Sequence, residues 1–86
     1  MKHLETIEKY DGTLKELARD IANLRYDALA TLLEEISTAL KEDSISDKKR
    51  NRLRLSLSLS VASIEVSHAA NAIKDAWEIC KKFIKV

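Results

Sequence analysis

Residues 53–83 read LRLSLSLSVASIEVSHAANAIKDAWEICKKF, and the way this stretch folds decides the architecture. Leu55, Leu59, Ala62, Val66, Ala69, Ile73, Ala76, Cys80 and Phe83 follow one another in alternating steps of four and three. That spacing returns side chains to one side of an α-helix and makes a seam for a second helix. The first third of the stretch carries a rival pattern. Leu53, Leu55, Leu57, Leu59 and Val61 alternate with Arg54, Ser56, Ser58 and Ser60, which is the period of a strand. Helix is the better reading of residues 52–61. Leu is a strong helix former, and the chain has no second alternating segment to pair with. A lone strand would leave its ladder groups open. The seam therefore predicts a helix over about 48–84.

Residues 43–47 (Asp-Ser-Ile-Ser-Asp) carry turn and capping chemistry and predict the connection. Upstream, Leu14, Leu17, Ile21, Leu24, Ala28, Leu32, Ile36 and Leu40 form an apolar stripe that predicts a helix over about 14–42. Thr13 followed by Glu16 is a capping box at its start. Leu4, Ile7 and Tyr10 suggest a short helix over about 2–10, broken at Asp11-Gly12, where Gly tolerates the left-handed conformation that ends helices. The expectation is a single all-α domain over residues 1–86, a long antiparallel helical hairpin plus a short N-terminal helix.

Charge supports the hairpin. Residues 1–43 hold six Lys/Arg and ten Asp/Glu, whereas residues 44–86 hold nine and four. A turn near 44–45 would set position i opposite about 89 − i, bringing Glu34 and Glu35 near Arg54, and Glu16 near Lys74. The same register puts Glu5 and Glu8 near Lys81, Lys82 and Lys85. Overall the 86 residues carry a net charge of +1, which argues against a protein that coats nucleic acid. One Gly and no Pro argue against phosphate-cradling loops, and one Cys excludes an intrachain disulfide. Glu5 and Glu8 interrupt any signal-peptide core, and no apolar run would span a bilayer. The sequence reading is cytoplasmic, with no membrane contact and no cofactor.

Six candidate features remain. Leu53, Leu57, Val61 and Ile64 form a second apolar face on the last helix, nearly opposite the seam. With Leu29, Leu33 and Leu40 contributing, they are the candidate oligomer interface. A two-helix hairpin encloses no core, so self-association into a helical bundle, as a dimer or higher even oligomer, would complete it. Lys48, Lys49, Arg50, Arg52 and Arg54 are a candidate anion or nucleic-acid contact, without the aromatic residues that base stacking needs. The bland reading is neutralisation by Glu34, Glu35, Glu42, Asp43 and Asp47.

Glu65 and His68 have the Glu-x-x-His spacing of bundle metal sites, with Asp20 and Asp27 as conceivable extra carboxylates. Val66-Ser67-His68 resembles the phosphoacceptor segment of sensor kinases in those residues alone. Ala69 stands where that family has an acidic residue, and no Pro follows, so no membership is implied. Ser56, Ser60, Ser63 and Ser67 form a stripe of small side chains that would allow close helix approach. Cys80 reads as a buried seam residue. The leading functional reading is a small non-enzymatic protein–protein interaction or regulatory module acting as a homo-oligomer, with a further protein partner as an open case. The second is a nucleic-acid-binding helical dimer using residues 48–54. The third is a metal-binding or phosphotransfer bundle centred on His68.

Overall fold

The computed structural model describes residues 3–83. Three α-helices follow one another: α1 (Leu14–Ala22), α2 (Tyr26–Lys49) and α3 (Leu53–Cys80), with a single 3-10 turn at Lys81–Phe83. The described residues contain no strand, and the alternating segment after Leu53 is helical. α2 packs against α3 as an antiparallel hairpin, and no residue of α1 is buried.

The capping box forms as its residues dictate. Thr13 N–H donates to Glu16 Oε1 at 3.1 Å, and Glu16 N–H donates to Thr13 Oγ1 at 3.1 Å. Two otherwise orphaned donors are satisfied, which fixes where α1 starts. Residues 3–10 are not helical, contrary to the helix expected over 2–10; residue 2 lies outside the described residues. The short N-terminal helix of this fold is α1 itself. Gly12 has no positive φ, so left-handed freedom is not its role. A Cβ there would lie 2.8 Å from Tyr10 Cε1, so Gly12 makes room for the Tyr10 ring, whose hydroxyl donates to Asp20.

The helix expected over 14–42 is two helices. Asn23 caps α1, its N–H reaching the Arg19 carbonyl at 3.1 Å. Arg25 is extended, at φ −56° and ψ 141°, and α2 begins after it. Its guanidinium grips Asp27 with two bonds, Nε to Oδ1 at 2.7 Å and Nη2 to Oδ2 at 2.8 Å. Asp27 thus places negative charge in the first turn of α2, where the helix dipole favours it.

The connection lies at residues 50–52, not at 43–47, which are helical. Asn51 adopts φ 60°, the left-handed conformation that Asn tolerates better than most residues. Arg52 N–H donates to the Asp47 carbonyl at 2.8 Å and Asn51 N–H to the Lys48 carbonyl at 3.1 Å, which closes the end of α2. The turn-forming serines at 44 and 46 therefore did not end the helix. Ser44 finds its partner across the hairpin instead.

Moving the turn moves the register. Ser44 faces Ser56, and seven residues along each helix Ser37 faces Ser63. A second step of seven leads to Ala30 and Ala70, the buried apolar residues among those described. In each serine pair the hydroxyls cross reciprocally. Ser44 Oγ donates to the Ser56 carbonyl at 2.7 Å and Ser56 Oγ to the Ser44 carbonyl at 2.8 Å. Ser37 and Ser63 repeat the exchange at 2.8 Å in both directions. The buried polar atoms described are all partnered. Small side chains let the helix backbones approach closely enough for these bonds.

The seam is displaced. Leu59, Val66, Ile73 and Cys80 are half-buried along it, as expected, but the intervening buried positions are Ser56, Ser63 and Ala70. Leu55, Ala62 and Ala69, one residue earlier, are exposed or half-exposed on the flank. Cys80 is half-buried, not buried. Glu34 pairs with Lys74 at 2.6 Å instead of lying near Arg54.

Candidate interaction surface

A hairpin closed by serine and alanine leaves its large apolar side chains outside. No large side chain among the described residues is fully buried. The second apolar face of α3 stands bare: Leu53 is 61% exposed, Leu57 67%, Val61 50% and Ile64 51%. Ile45 of α2, 49% exposed, lies beside them. Lys41, Ser44, Ile45 and Lys48 of α2 line one shallow groove with Leu53, Ser56, Leu57 and Ser60 of α3. The sequence pointed to the α3 residues through their angular clustering. It missed Ile45, which was read as part of a turn.

Leu29, Leu33 and Leu40 do not join this face. They are half-buried along one stripe of α2, and Leu40 lines the groove on the other side of the hairpin with Asp43, Asp47, Leu55 and Leu59. His3 also lines that groove, so the N-terminal segment of the same chain reaches it. Of the seven residues expected at one interface, Leu29, Leu33 and Leu40 thus lie on a different stripe from Leu53, Leu57, Val61 and Ile64.

The basic residues Lys48, Lys49, Arg50, Arg52 and Arg54 are all exposed and surround the tip of the hairpin. The pairing expected with five acidic residues reduces to one contact among the described residues, Arg52 Nη1 to Asp47 Oδ1 at 3.5 Å. At the opposite end, Lys81 pairs with Glu78 at 2.7 Å. The expected contact of the C-terminal lysines with Glu5 and Glu8 is absent from the ion pairs of the described residues, and Lys85 lies outside them. The Arg25 guanidinium sits 5.2 Å from the centre of the Trp77 ring, which ties the start of α2 to the end of α3.

Glu65 and His68 are exposed on α3. His68 borders a shallow groove with Ser37, Lys41, Ser60, Ser63, Ile64 and Ser67, a set without a second imidazole or any carboxylate. The described residues hold no cluster of three potential metal ligands. Asp20 is engaged by Tyr10 and Asp27 by Arg25. The Arg25 guanidinium, by direct hydrogen bonding, holds the Asp27 carboxyl below its usual range, and the carboxylate in turn raises the Arg25 value. The hydrogen bond to Asp20 raises the Tyr10 phenol. These shifts belong to local contacts at the ends of α1 and α2, away from the α3 face.

No helix among the described residues is long and apolar enough to cross a membrane. Compared with family models, with curated proteins and with solved structures, the chain matches none.

Proposed function

We propose that this chain is a non-enzymatic helical interaction module that works as a homo-oligomer. One observation carries the reading. The chain exposes 7338 Å², whereas a compact monomer of its mass would expose about 5,100 Å². The molecule is a slab measuring 51 × 29 × 15 Å, one helix layer thick, so its apolar side chains have no second layer to pack on. Burying a large side chain contributes roughly 1.5–3 kcal/mol, and another helical layer would collect that at several positions at once. The surface displays hydrocarbon on regular helices, which suits docking better than chemistry. The same proposal places it in the cytoplasm, where a lone thiol such as Cys80 stays reduced. Sedimentation equilibrium from 1 to 100 micromolar tests it. A multiple of the 9.7 kDa chain mass supports the reading, and a monomer throughout refutes it.

The tip of the hairpin favours a second reading, binding of polyanions such as nucleic acid. Five exposed cations share it, and one of them has an ion-pair partner among the described residues. Replacing Lys48, Lys49 and Arg50 with Gln should then abolish low-salt retention on DNA or RNA and flatten its salt dependence. Absence of retention by the unaltered protein at low salt rules this reading out.

A further inference from the structure

We infer that the occupant of the bare α3 face is a second copy of this chain, docked antiparallel with the two-fold axis passing near Val61. The inference rests on the homo-oligomer reading and specifies its contact. Arg54, Leu57, Val61, Ile64 and His68 follow one another in steps of three and four. At 100° per residue they occupy a sector of about 80°, centred about 160° from the sector of Ser56, Leu59, Ser63, Val66 and Ala70. α3 thus carries two heptad stripes. One is used inside the hairpin and the other is not.

The unused stripe is close to its own mirror along the helix. Leu57 lies four residues before Val61 and Ile64 three after it; Arg54 lies seven before and His68 seven after. A two-fold contact requires a surface complementary to itself when reversed. Reversal about Val61 sets Leu57 of one chain against Ile64 of the other and Val61 against its own copy. It also brings Arg54 of one chain toward Glu65 of the other, one turn from His68, so each end of the contact pairs a cation with an acid. Leu53 and Ile45, both exposed, extend the apolar patch toward the hairpin tip.

Area argues for a copy of the same size. The excess exposure, about 2,200 Å² per chain relative to a compact monomer, falls within the scale of obligate homodimer interfaces, roughly 2,000–5,000 Å² in total, or half that per partner. The N-terminal segment does not compete for the site, because His3 reaches the opposite groove.

Cross-linking tests the geometry. Val61→Cys and, separately, Asp75→Cys are each made in a Cys80→Ser background and treated with diamide at 20 micromolar protein. Two thiols meeting on a two-fold axis lose their hydrogens to diamide and form one disulfide between chains. The Val61→Cys protein should become mostly a covalent dimer, and Asp75→Cys should not, since its two copies would lie far from the axis. Leu57→Glu should weaken self-association at least tenfold by sedimentation, with helicity followed by circular dichroism. If Leu57→Glu unfolds, the cross-linking pair alone decides. A monomeric parent protein overturns both this inference and the homo-oligomer reading. An oligomeric parent in which Val61→Cys cross-links no faster than Asp75→Cys overturns the inference and leaves that reading standing.

Discussion

Ser44 and Ser56 each give their hydroxyl proton to the backbone carbonyl of the other, across 2.7 and 2.8 Å. A serine in a helix usually bonds back to its own preceding turn. Here the exchange joins two helices and takes the place of a hydrophobic contact. Ser44→Ala should cost about 1 kcal/mol, the usual net worth of one hydrogen bond. Ser44→Leu should cost more, roughly 1–3 kcal/mol or beyond, because a large side chain forces the backbones apart. Urea unfolding of the two variants measures the difference, and a Leu variant as stable as wild type would contradict the close packing.

Asn51 holds the left-handed position of the connection, at φ 60°. Gly should replace it with little change. Ala or Val should lose about 1–2 kcal/mol, the cost of a Cβ in that conformation. Thermal melts of Asn51→Gly and Asn51→Val check the order.

Thr13→Ala removes one half of the capping box and should destabilise α1 by about 1 kcal/mol. Since no residue of α1 is buried, the loss should stay local. Amide hydrogen exchange should speed up over residues 14–22 while 26–49 and 53–80 keep their protection.

The Tyr10 phenol is raised by its hydrogen bond to Asp20. Its neutral form is favoured in the folded chain, so that contribution is present below the unfolded phenol range and is lost as pH rises through the folded value. Gly12→Ala drives a Cβ into the ring. Ultraviolet titration in a Tyr26→Phe background should show the Tyr10 value falling back toward that of a free tyrosine.

Asp27 runs in the opposite sense. Its carboxyl is lowered by Arg25, so the contribution is present above the unfolded carboxylate range of about pH 4 and is lost as pH falls through the folded value. Arg25→Gln should raise the Asp27 titration midpoint, as followed by carbon NMR of the carboxyl group.

The helical hairpin, the capping box and the second apolar face of α3 were legible because each depends on spacing within one helix. Thr13 and Glu16 need only each other, and Leu53, Leu57, Val61 and Ile64 need only 100° per residue. What depends on the partner helix was not legible. Ser44 and Ser46 carry turn-forming chemistry, and nothing local reveals that a carbonyl of Ser56 waits for the Ser44 hydroxyl. Misplacing the turn put Glu34 opposite the wrong cation. The seam was read one residue off for a different reason: apolar Leu55, Ala62 and Ala69 stand directly before the buried Ser56, Ser63 and Ala70, and hydropathy favours Leu and Ala over Ser. Asn51 was the overlooked sign: it stands between two cationic runs, where the basic cluster drew attention away from its backbone preference. The break at 23–25 was hidden because Ile21, Leu24 and Ala28 continue the apolar step through it.

The hairpin behaves as a stack of interchangeable units. Each layer is one small residue facing another, and the layers recur every seven positions on both helices. Removing residues 38–44 together with 57–63 would leave Ser37 and Ser56 separated by the same twelve positions that separate Ser44 and Ser56 now. Ala30 and Ala70 would inherit the spacing of Ser37 and Ser63. The shortened chain keeps a working zipper but loses Leu57 and Val61, so holding one chain together and joining two chains become separable by a single excision.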